Sequence, residues 1–434
     1  MGIFGGFSNM PRKHGALGPS QDSTLGPVEN QIQGIKEMRQ GGLGKGPTPI
    51  LFPKKNTGPL PKLTPQAMWA GVIHGYSGYA KANREILRRA MKGVKLSFSM
   101  DSPWDASEKN PEALELLRAL RASTIDDRAP QVTFHPPRSE SRAGYRVIYT
   151  MMETEVVHPD MIKVMSQQYQ ECWTPTQWNA NTFKKSGLTL PIRVMPLGID
   201  PDVYYPGGHA YMPKAYRLTG SGAGKYEFPT GFLFIYVCQP SFRKGIEVVI
   251  EAFGEAFGSD PETGLIIAST AHSSSLFTPD KSLKPRIWLL NASLSEKDLA
   301  AVYRACQVYV CASRGEGWNL PLMEAAACGL PVIAPRTSAH GDLIPEGCGF
   351  LFNSDHTTVF PSAKEISPWF DGIAFPDFGE RSHLELIRLL RMVRNGYNSS
   401  LVIASRYKDL VRTKYTWDAA AKNVVDRLKE LCQG

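Results

Sequence analysis

Glu316 and Glu324 stand eight positions apart in SRGEGWNLPLMEAAACGLPVIAP, residues 313–335. The first sits in a glycine-flanked turn after the apolar run VYVCAS, and the second reads as lying in the first turn of a helix that opens at Pro321 and stops at Gly329. Proline suits a first helical turn because its missing N–H would have no partner there. A glycine loop that feeds a helix N-terminus is a ready anion site, with backbone N–H groups near Asn319, Leu320 and Leu322 expected to face outward. Carboxylates beside a phosphate repel it, so these two need hydroxyl donors. Vicinal sugar hydroxyls are such donors, and one ionised Glu accepts from two of them. One Glu on a ribose and one on a second sugar, with a diphosphate between, would use both. A second stretch, PSFRKGIEVVIEAF, puts Arg243 and Lys244 just before a glycine and a helix. Two cations at the end of a strand are what a departing diphosphate needs, because negative charge grows on it as a glycosidic bond breaks.

Those loops require rigid elements behind them. At 434 residues the chain is too long for one ordinary core, and two domains are expected. MWAGVIHGYSGYAKANREILRRAMKGVKLSFSM, residues 68–100, reads as strand, glycine turn, helix and strand. Strands follow at QVTFH (131–135), YRVIYTM (145–151) and IRVMPLG (192–198), with the helical stretches NPEALELLRALRA and HPDMIKVMSQQYQ between them. Residues 196–231 are rich in Gly, Pro and Tyr without a period. A second alternating run starts at GFLFIYVCQ and continues through LPVIAP. The expected fold is α/β, two doubly wound Rossmann-like domains facing a central cleft, with an extended N-terminal arm. The expected bounds are a basic Gly/Pro-rich arm 1–65, a first domain 66–205 completed by a C-terminal helix at about 415–434, a linker 206–230 and a second domain 231–414. Ligands of such sheets sit outside the carboxyl ends of the strands, where both charged loops lie.

RKGIEVVIEAF followed by LSEKDLAAVYRACQVYVCASRGEGWNLPLMEAAACGLPVIAP resembles the nucleotide-sugar half of the retaining GT-B glycosyltransferases of family 4, whose hallmark is Glu, seven residues, Glu. The resemblance implies that Glu324 holds the ribose hydroxyls, that Glu316 lies by the donor sugar, and that the backbone of Gly317, Trp318, Asn319 and Leu320 meets sugar and phosphates. It implies a diphosphate contact for Lys244. Many members carry an Arg where this chain has Gln239, and Arg243 is expected to compensate. Leu290 and Asn291, which end PRIWLLN, are placed on the donor side. HGYSGYAKANREIL, YTMMETEVV, ECWTPTQWNANTFKKSGL, IRVMPLGIDPDVYYP and YTWDAAAKNVVDRL are similar, more loosely, to the acceptor half and the crossing C-terminal helix. The implied activity is transfer of a hexose from a nucleotide diphosphate sugar to an unidentified acceptor hydroxyl, with retention. The donor is a substrate, and no cofactor is implied.

Gly75, Tyr76, Ser77 and Gly78 match neither the dinucleotide fingerprint nor a P-loop, and are read as a close backbone approach to the donor diphosphate. His135 follows QVTFH directly and faces packing and catalysis as alternatives. Glu153 and Thr154 are expected to end the next strand and face the acceptor, with Glu153 orienting or activating its hydroxyl. Asp200-Pro201-Asp202 is formally a DxD motif but stands in an inter-domain segment, so it reads as a turn. Lys244 and Arg243 make a divalent ion unnecessary, and no metal is expected. Trp173, Trp178, Tyr204 and Tyr205 could stack on sugars, although burial explains each.

The formal charge is +8, of which residues 1–65 supply +5 from eight Lys/Arg and three Asp/Glu. An anionic partner is therefore expected for the arm rather than the body. The seven cysteines form no CxxC pair and mostly lie in apolar runs, as buried thiols do in a reducing compartment. No run of 18 apolar residues occurs and the N-terminus lacks an apolar signal core, so a cytoplasmic location is expected. Gly6 stands where a myristoylation pattern wants Ser or Thr. Three rivals remain: a phosphorylase or epimerase of the same fold, a structural or nucleic-acid-associated protein built on it, and a transferase acting on modified nucleic acid.

Overall fold

Short runs of Val, Ile, Leu and aromatic residues that do not alternate with polar ones become parallel strands covered on both faces. The structure, a computed structural model, describes residues 62–433 apart from 76, 101–110, 139–143, 221, 259 and 270–284. The basic arm up to residue 61 thus falls outside the described residues, as does Tyr76. Two compact units result. The first holds residues 62–200, 361–373 and 412–433, and the second residues 201–360 and 374–411.

The first unit is built on β1 (Gln66–Gly71), β2 (Lys95–Met100), β3 (Gln131–Phe134), β4 (Arg146–Tyr149), β5 (Glu171–Thr174) and β6 (Ile192–Val194). They form one sheet in the order β2-β1-β3-β4-β5-β6, parallel throughout. The helices between them are α1 (Gly78–Ala90), α2 (Pro111–Arg121), α3 (Pro159–Gln168) and α4 (Gln177–Lys185). Phe134 and Tyr149 stack at 4.0 Å across β3 and β4, and Trp173 meets Tyr149 edge-on at 5.9 Å. Trp173 and Tyr204 are fully buried, and Tyr205 is partly exposed. Strand β5 and helix α4 are not evident from the sequence pattern because β5 opens on a charge. Glu171 is nonetheless buried, held by the Trp173 indole N–H at 2.7 Å, the Tyr145 hydroxyl at 3.0 Å and the Arg427 guanidinium at 2.5 Å. Arg427 belongs to the C-terminal helix Trp417–Gln433. The chain reaches it through Gly198, where a Cβ would lie 2.2 Å from the Thr416 carbonyl carbon, so only glycine admits the bridge between Ile199 and Thr416. Leu63 already donates its N–H to the Cys432 carbonyl at 2.7 Å, so residues 62–65 lie against this unit rather than in a separate arm.

The second unit holds β7 (Ala215–Arg217), β8 (Tyr226–Glu227), β9 (Phe232–Val237), β10 (Thr263–Ser269), β11 (Arg286–Asn291), β12 (Val308–Val310), β13 (Val332–Pro335) and β14 (Phe350–Phe352). Their order is β14-β13-β12-β9-β10-β11-β7-β8, with β9 to β14 parallel and β7 and β8 antiparallel at one edge. Helices α5 (Ile246–Phe257), α6 (Glu296–Ala305), α7 (Leu320–Ala327) and α8 (Glu380–Asn395) accompany the sheet, and β15 (His356–Val359) pairs with β16 (Ala374–Asp377) in a separate hairpin.

Residues 206–230 therefore differ from the linker expected of them, since they contain β7 and β8. Strands of three and two residues are too short to carry a period. They are fixed by Arg217, which lies over the Trp288 ring at 4.4 Å and pairs with Glu227 at 2.9 Å. All cysteines but Cys348 are buried. Among the described residues no helix is long and apolar enough to cross a membrane.

Candidate active site

The second sheet reverses its strand order between β9 and β12, since β10 and β11 extend it to one side and β13 and β14 to the other. The loops leaving those two strands are the ones the sequence marks as charged. After β9, a 3-10 turn carries Phe242–Lys244 and ends at Gly245, whose φ is +57°. A Cβ on Gly245 would sit 2.2 Å from the Ala312 carbonyl oxygen, so the two loops touch only because glycine stands here. The Arg314 N–H then donates to the Arg243 carbonyl at 2.7 Å, and the Tyr236 hydroxyl to the Lys244 carbonyl at 2.6 Å.

This contact brings Arg243, Lys244 and Glu316 together. The Lys244 ammonium lies 2.5 Å from Glu316 Oε1, and Arg243 Nη1 lies 3.3 Å from Oε2 while donating to the Gly315 carbonyl at 2.6 Å. The Ser313 hydroxyl adds a donor to Oε1 at 2.8 Å. Glu316 is 4% exposed, and burial alone would raise its carboxyl pKa; Lys244 and Arg243 outweigh burial and hold it at about 2. The expectation that these cations stand ready for a diphosphate is thus modified: without a ligand both are engaged by Glu316. Two cations against one carboxylate still leave the cluster with one positive charge in excess.

Helix α7 begins one residue ahead of Pro321. Asn319 is its cap, with the side-chain oxygen accepting from the Leu322 N–H at 3.1 Å. That N–H is consequently not free for an anion, and Glu324 lies in the second turn rather than the first. Its carboxylate, in a residue 3% exposed, accepts from the Tyr303 hydroxyl at 3.3 Å. That separation is long for an O–H···O bond. Burial first, and Glu324 second, push the Tyr303 phenol well above its ordinary value.

The other expected donor residues divide. Trp318 and Leu320 are buried, as is Leu290 within β11, and Asn291 ends that strand half-buried.

In the first unit the order reverses between β1 and β3. Gly75, Ser77 and Gly78 follow β1, and Ser77 caps α1 by accepting from the Ala80 N–H at 3.1 Å. Arg84 fastens this loop through the carbonyls of Ile73 at 2.8 Å and Gly75 at 2.9 Å. His135 follows β3 directly, half-buried, with Nδ1 3.3 Å from the Pro136 carbonyl and its ring 6.0 Å from Tyr79. Strand β4 stops at Tyr149, so Glu153 stands four residues beyond it and not at its end. Thr154 is fully buried and donates to the Val156 carbonyl at 2.8 Å, which makes it a turn residue. Asp200 pairs with Arg89 at 3.2 Å and precedes a turn at 201–203.

Three neighbours of the cluster were not singled out from sequence. Arg314 is buried against Glu247 at 2.6 Å, Asp377 at 2.8 Å and the Phe360 ring at 4.9 Å, and so pins the Glu316 loop to β16. Ser338 holds a φ of +52°, a conformation costing a non-glycine residue about 1 kcal/mol or more, and its hydroxyl oxygen accepts from the Glu316 N–H at 3.0 Å. His340 is fully buried, and burial lowers its pKa to about 4. No residue-type signal marks a strained serine or a capped histidine.

Comparison with known proteins adds a likeness over part of the chain. Residues 231–363 match the family model described as Glycosyl transferases group 1. The D-inositol 3-phosphate glycosyltransferase of Corynebacterium glutamicum is 30% identical over 192 residues, covering 42% of each chain. The lipopolysaccharide core biosynthesis mannosyltransferase LpsB of Rhizobium meliloti is 26% identical over 184 residues, 39% of this chain and 49% of that one. The chain spans about half the length of the curated relatives it matches. Anabaena HepE, solved with UDP and glucose, superposes with a TM-score of 0.55 at 13% identity, over 84% of this chain and 99% of HepE. Sucrose-phosphate synthase from Thermosynechococcus elongatus gives 0.56 at 14% identity, over 84% of this chain and 99% of that one. At such identities the likeness shows the fold, two doubly wound α/β units. Over residues 231–363 the chain is thus similar to the group 1 glycosyl transferases.

Proposed function

We propose that the chain transfers a hexose from a nucleoside diphosphate sugar to an acceptor hydroxyl, with retention of anomeric configuration and without a metal ion. The observation that carries this reading is the convergence of Lys244 and Arg243 on Glu316 at the strand-order reversal of the second sheet. An arriving diphosphate competes for both cations. The Glu316 carboxylate, relieved of them, then accepts from the hydroxyls of the donor sugar. Glu324 accepts from the ribose, and the backbone of Gly317 to Leu320 lines the sugar and phosphates.

In the transfer, the bond from the anomeric carbon to the diphosphate oxygen breaks and its electron pair stays on the phosphate, where Lys244 and Arg243 offset the growing charge. The acceptor oxygen bonds to the same face of the anomeric carbon, and its proton passes to the leaving phosphate. In this reading the first unit serves the acceptor, with His135 and Glu153 orienting its hydroxyl. The UDP and glucose held by HepE make UDP-glucose the first donor to try, and the inositol phosphate named for the Corynebacterium enzyme supplies a first acceptor.

The test is release of free nucleoside diphosphate from a panel of nucleotide sugars, with and without acceptors, in the presence of EDTA. Release that persists in EDTA, with a product whose anomeric coupling constant matches the donor's, is expected. No release from any donor overturns transfer; an inverted product overturns retention alone.

A further inference from the structure

The segment Ser338–His340 follows β13 and touches the supports of both carboxylates. The Ser338 hydroxyl oxygen accepts from the Glu316 N–H at 3.0 Å, and the Ala339 N–H donates to the Glu316 carbonyl at 3.1 Å, so the peptide groups on either side of Glu316 are both tied down. Two residues on, His340 Nε2 lies 3.0 Å from the side-chain nitrogen of Asn319, the cap of the helix that carries Glu324. Among the described residues Ser338 is the only non-glycine with a positive φ, so the backbone is bent here against its own preference.

The hydrogen bonds fix the state of the imidazole. Asn319 Oδ1 accepts from the Leu322 N–H, so the amide nitrogen must be the group facing His340. An amide NH₂ can only donate, which makes Nε2 the acceptor and leaves the ring proton on Nδ1. Protonation of Nε2 would set two donors against each other. Turning the amide over would instead put NH₂ against the Leu322 N–H and remove the cap. The groups acting on the ring are Glu316, Lys244 and the Thr337 backbone, and full burial disfavours its charged form.

We propose that Ser338–His340 is a positioning strap that sets the separation of Glu316 and Glu324, with Ser338 holding the first through its backbone and neutral His340 holding the second through Asn319. This rests on the transfer reading for what the separation is used for, but not for its existence. Ser338 acts on the carboxylate by the donor sugar, so its loss falls on turnover. His340 acts on the carboxylate by the ribose, so its loss falls on donor binding.

The test has two parts. In ¹⁵N-resolved imidazole spectra of the full chain, His340 should be the neutral Nδ1–H form at pH 7 and remain so to about pH 5. An Nε2–H tautomer or an imidazolium at pH 7 overturns the strap whatever the activity. In turnover assays, His340→Met, which has no acceptor for Asn319, should raise the donor KM about tenfold with kcat little changed, and His340→Gln, whose amide oxygen can accept, should restore it to within about threefold. Ser338→Gly removes strain and hydroxyl together. It should lower kcat about tenfold, whereas a role in strain alone predicts unchanged turnover and a more stable fold. A wild type with the Nδ1–H tautomer that releases no nucleoside diphosphate overturns the transfer reading and leaves the strap standing. A wild type that turns over while His340→Gln and His340→Met behave alike overturns the strap.

Discussion

Both sheets reverse their strand order once, and the loops at the two reversals are furnished differently. At the β9/β12 reversal, the buried Glu316 carboxylate is paired with half-buried Lys244 and Arg243, the Ser313 hydroxyl donates to the same carboxylate, and Ser338 accepts from the Glu316 N–H. At the β1/β3 reversal, buried Arg84 donates to the backbone carbonyls of Ile73 and Gly75, Gly75 and Ser77 lie in the loop after β1, and half-buried His135 follows β3. Buried charges cost several kcal/mol each to desolvate and persist only where partners hold them. A network of that kind suits a ligand whose charge changes during reaction. Glycine-rich loops of this kind suit a ligand recognised by shape and hydroxyl groups, as the proposed acceptor is.

The largest break in this comparison should come from Lys244→Ala. Its charge matters most as the phosphate departs, so kcat should fall about 100- to 1,000-fold, with nucleoside diphosphate affinity reduced far less. Equal losses in single-turnover rate and in calorimetric affinity would remove Lys244 from the leaving-group role. Glu324→Ala comes next. Loss of a buried charged acceptor for two ribose hydroxyls should weaken nucleoside diphosphate binding by about 1.5–3 kcal/mol. Affinity unchanged by isothermal titration would take Glu324 out of the site.

Acid should separate the two units through the same contrast. The His340 pKa is lowered from 6.5 to about 4, so the stability owed to its neutral ring is complete above about pH 6.5 and is lost as pH falls toward 4. The Glu316 carboxyl is lowered from 4.5 to about 2, and its contribution, present above about pH 4.5, is lost as pH falls toward 2. In the first unit Glu171 is also lowered, burial opposing and Arg427 prevailing, which places its loss below the ordinary carboxylate range. Hydrogen exchange should therefore show peptides covering 308–343 losing protection between pH 6.5 and 4.5 while those covering 66–100 keep theirs. His340→Gln should abolish that early loss. Simultaneous loss in both regions would mean that the imidazole does not govern it.

How much of this was legible in the sequence follows from distance along the chain. Strands β9 to β13 and the loops after them are local patterns, and Arg243, Lys244 and Glu316 could be picked out because each loop carries its own glycine. Their pairing across 72 residues could not, because the sequence does not say which side of a sheet each strand joins. Glu324 lies one turn later than Pro321 alone suggests, because the Asn319 side chain caps the helix and places Leu320 ahead of the proline. Strands β7 and β8 fell inside a supposed linker, and β5 was hidden by its buried Glu171, whose partners Tyr145 and Arg427 lie 26 and 256 residues away.

The smallest effect is expected at the β1/β3 reversal, and its size sharpens the contrast. His135 is half-buried, its Nδ1 lies 3.3 Å from the Pro136 carbonyl, and its ring lies 6.0 Å from Tyr79. Replacing it with alanine removes a half-buried ring rather than a core side chain, so stability should change by no more than about 0.5 kcal/mol in urea titrations. A ring that orients an acceptor hydroxyl adds one hydrogen bond, worth about 0.5–1.5 kcal/mol, or two- to tenfold. His135→Ala should accordingly raise the acceptor KM by that factor while donor hydrolysis without acceptor stays at the wild-type rate. If donor hydrolysis falls as steeply as in Lys244→Ala, His135 belongs to the chemistry of the donor. The division of labour between a charged reversal and a neutral one is then wrong.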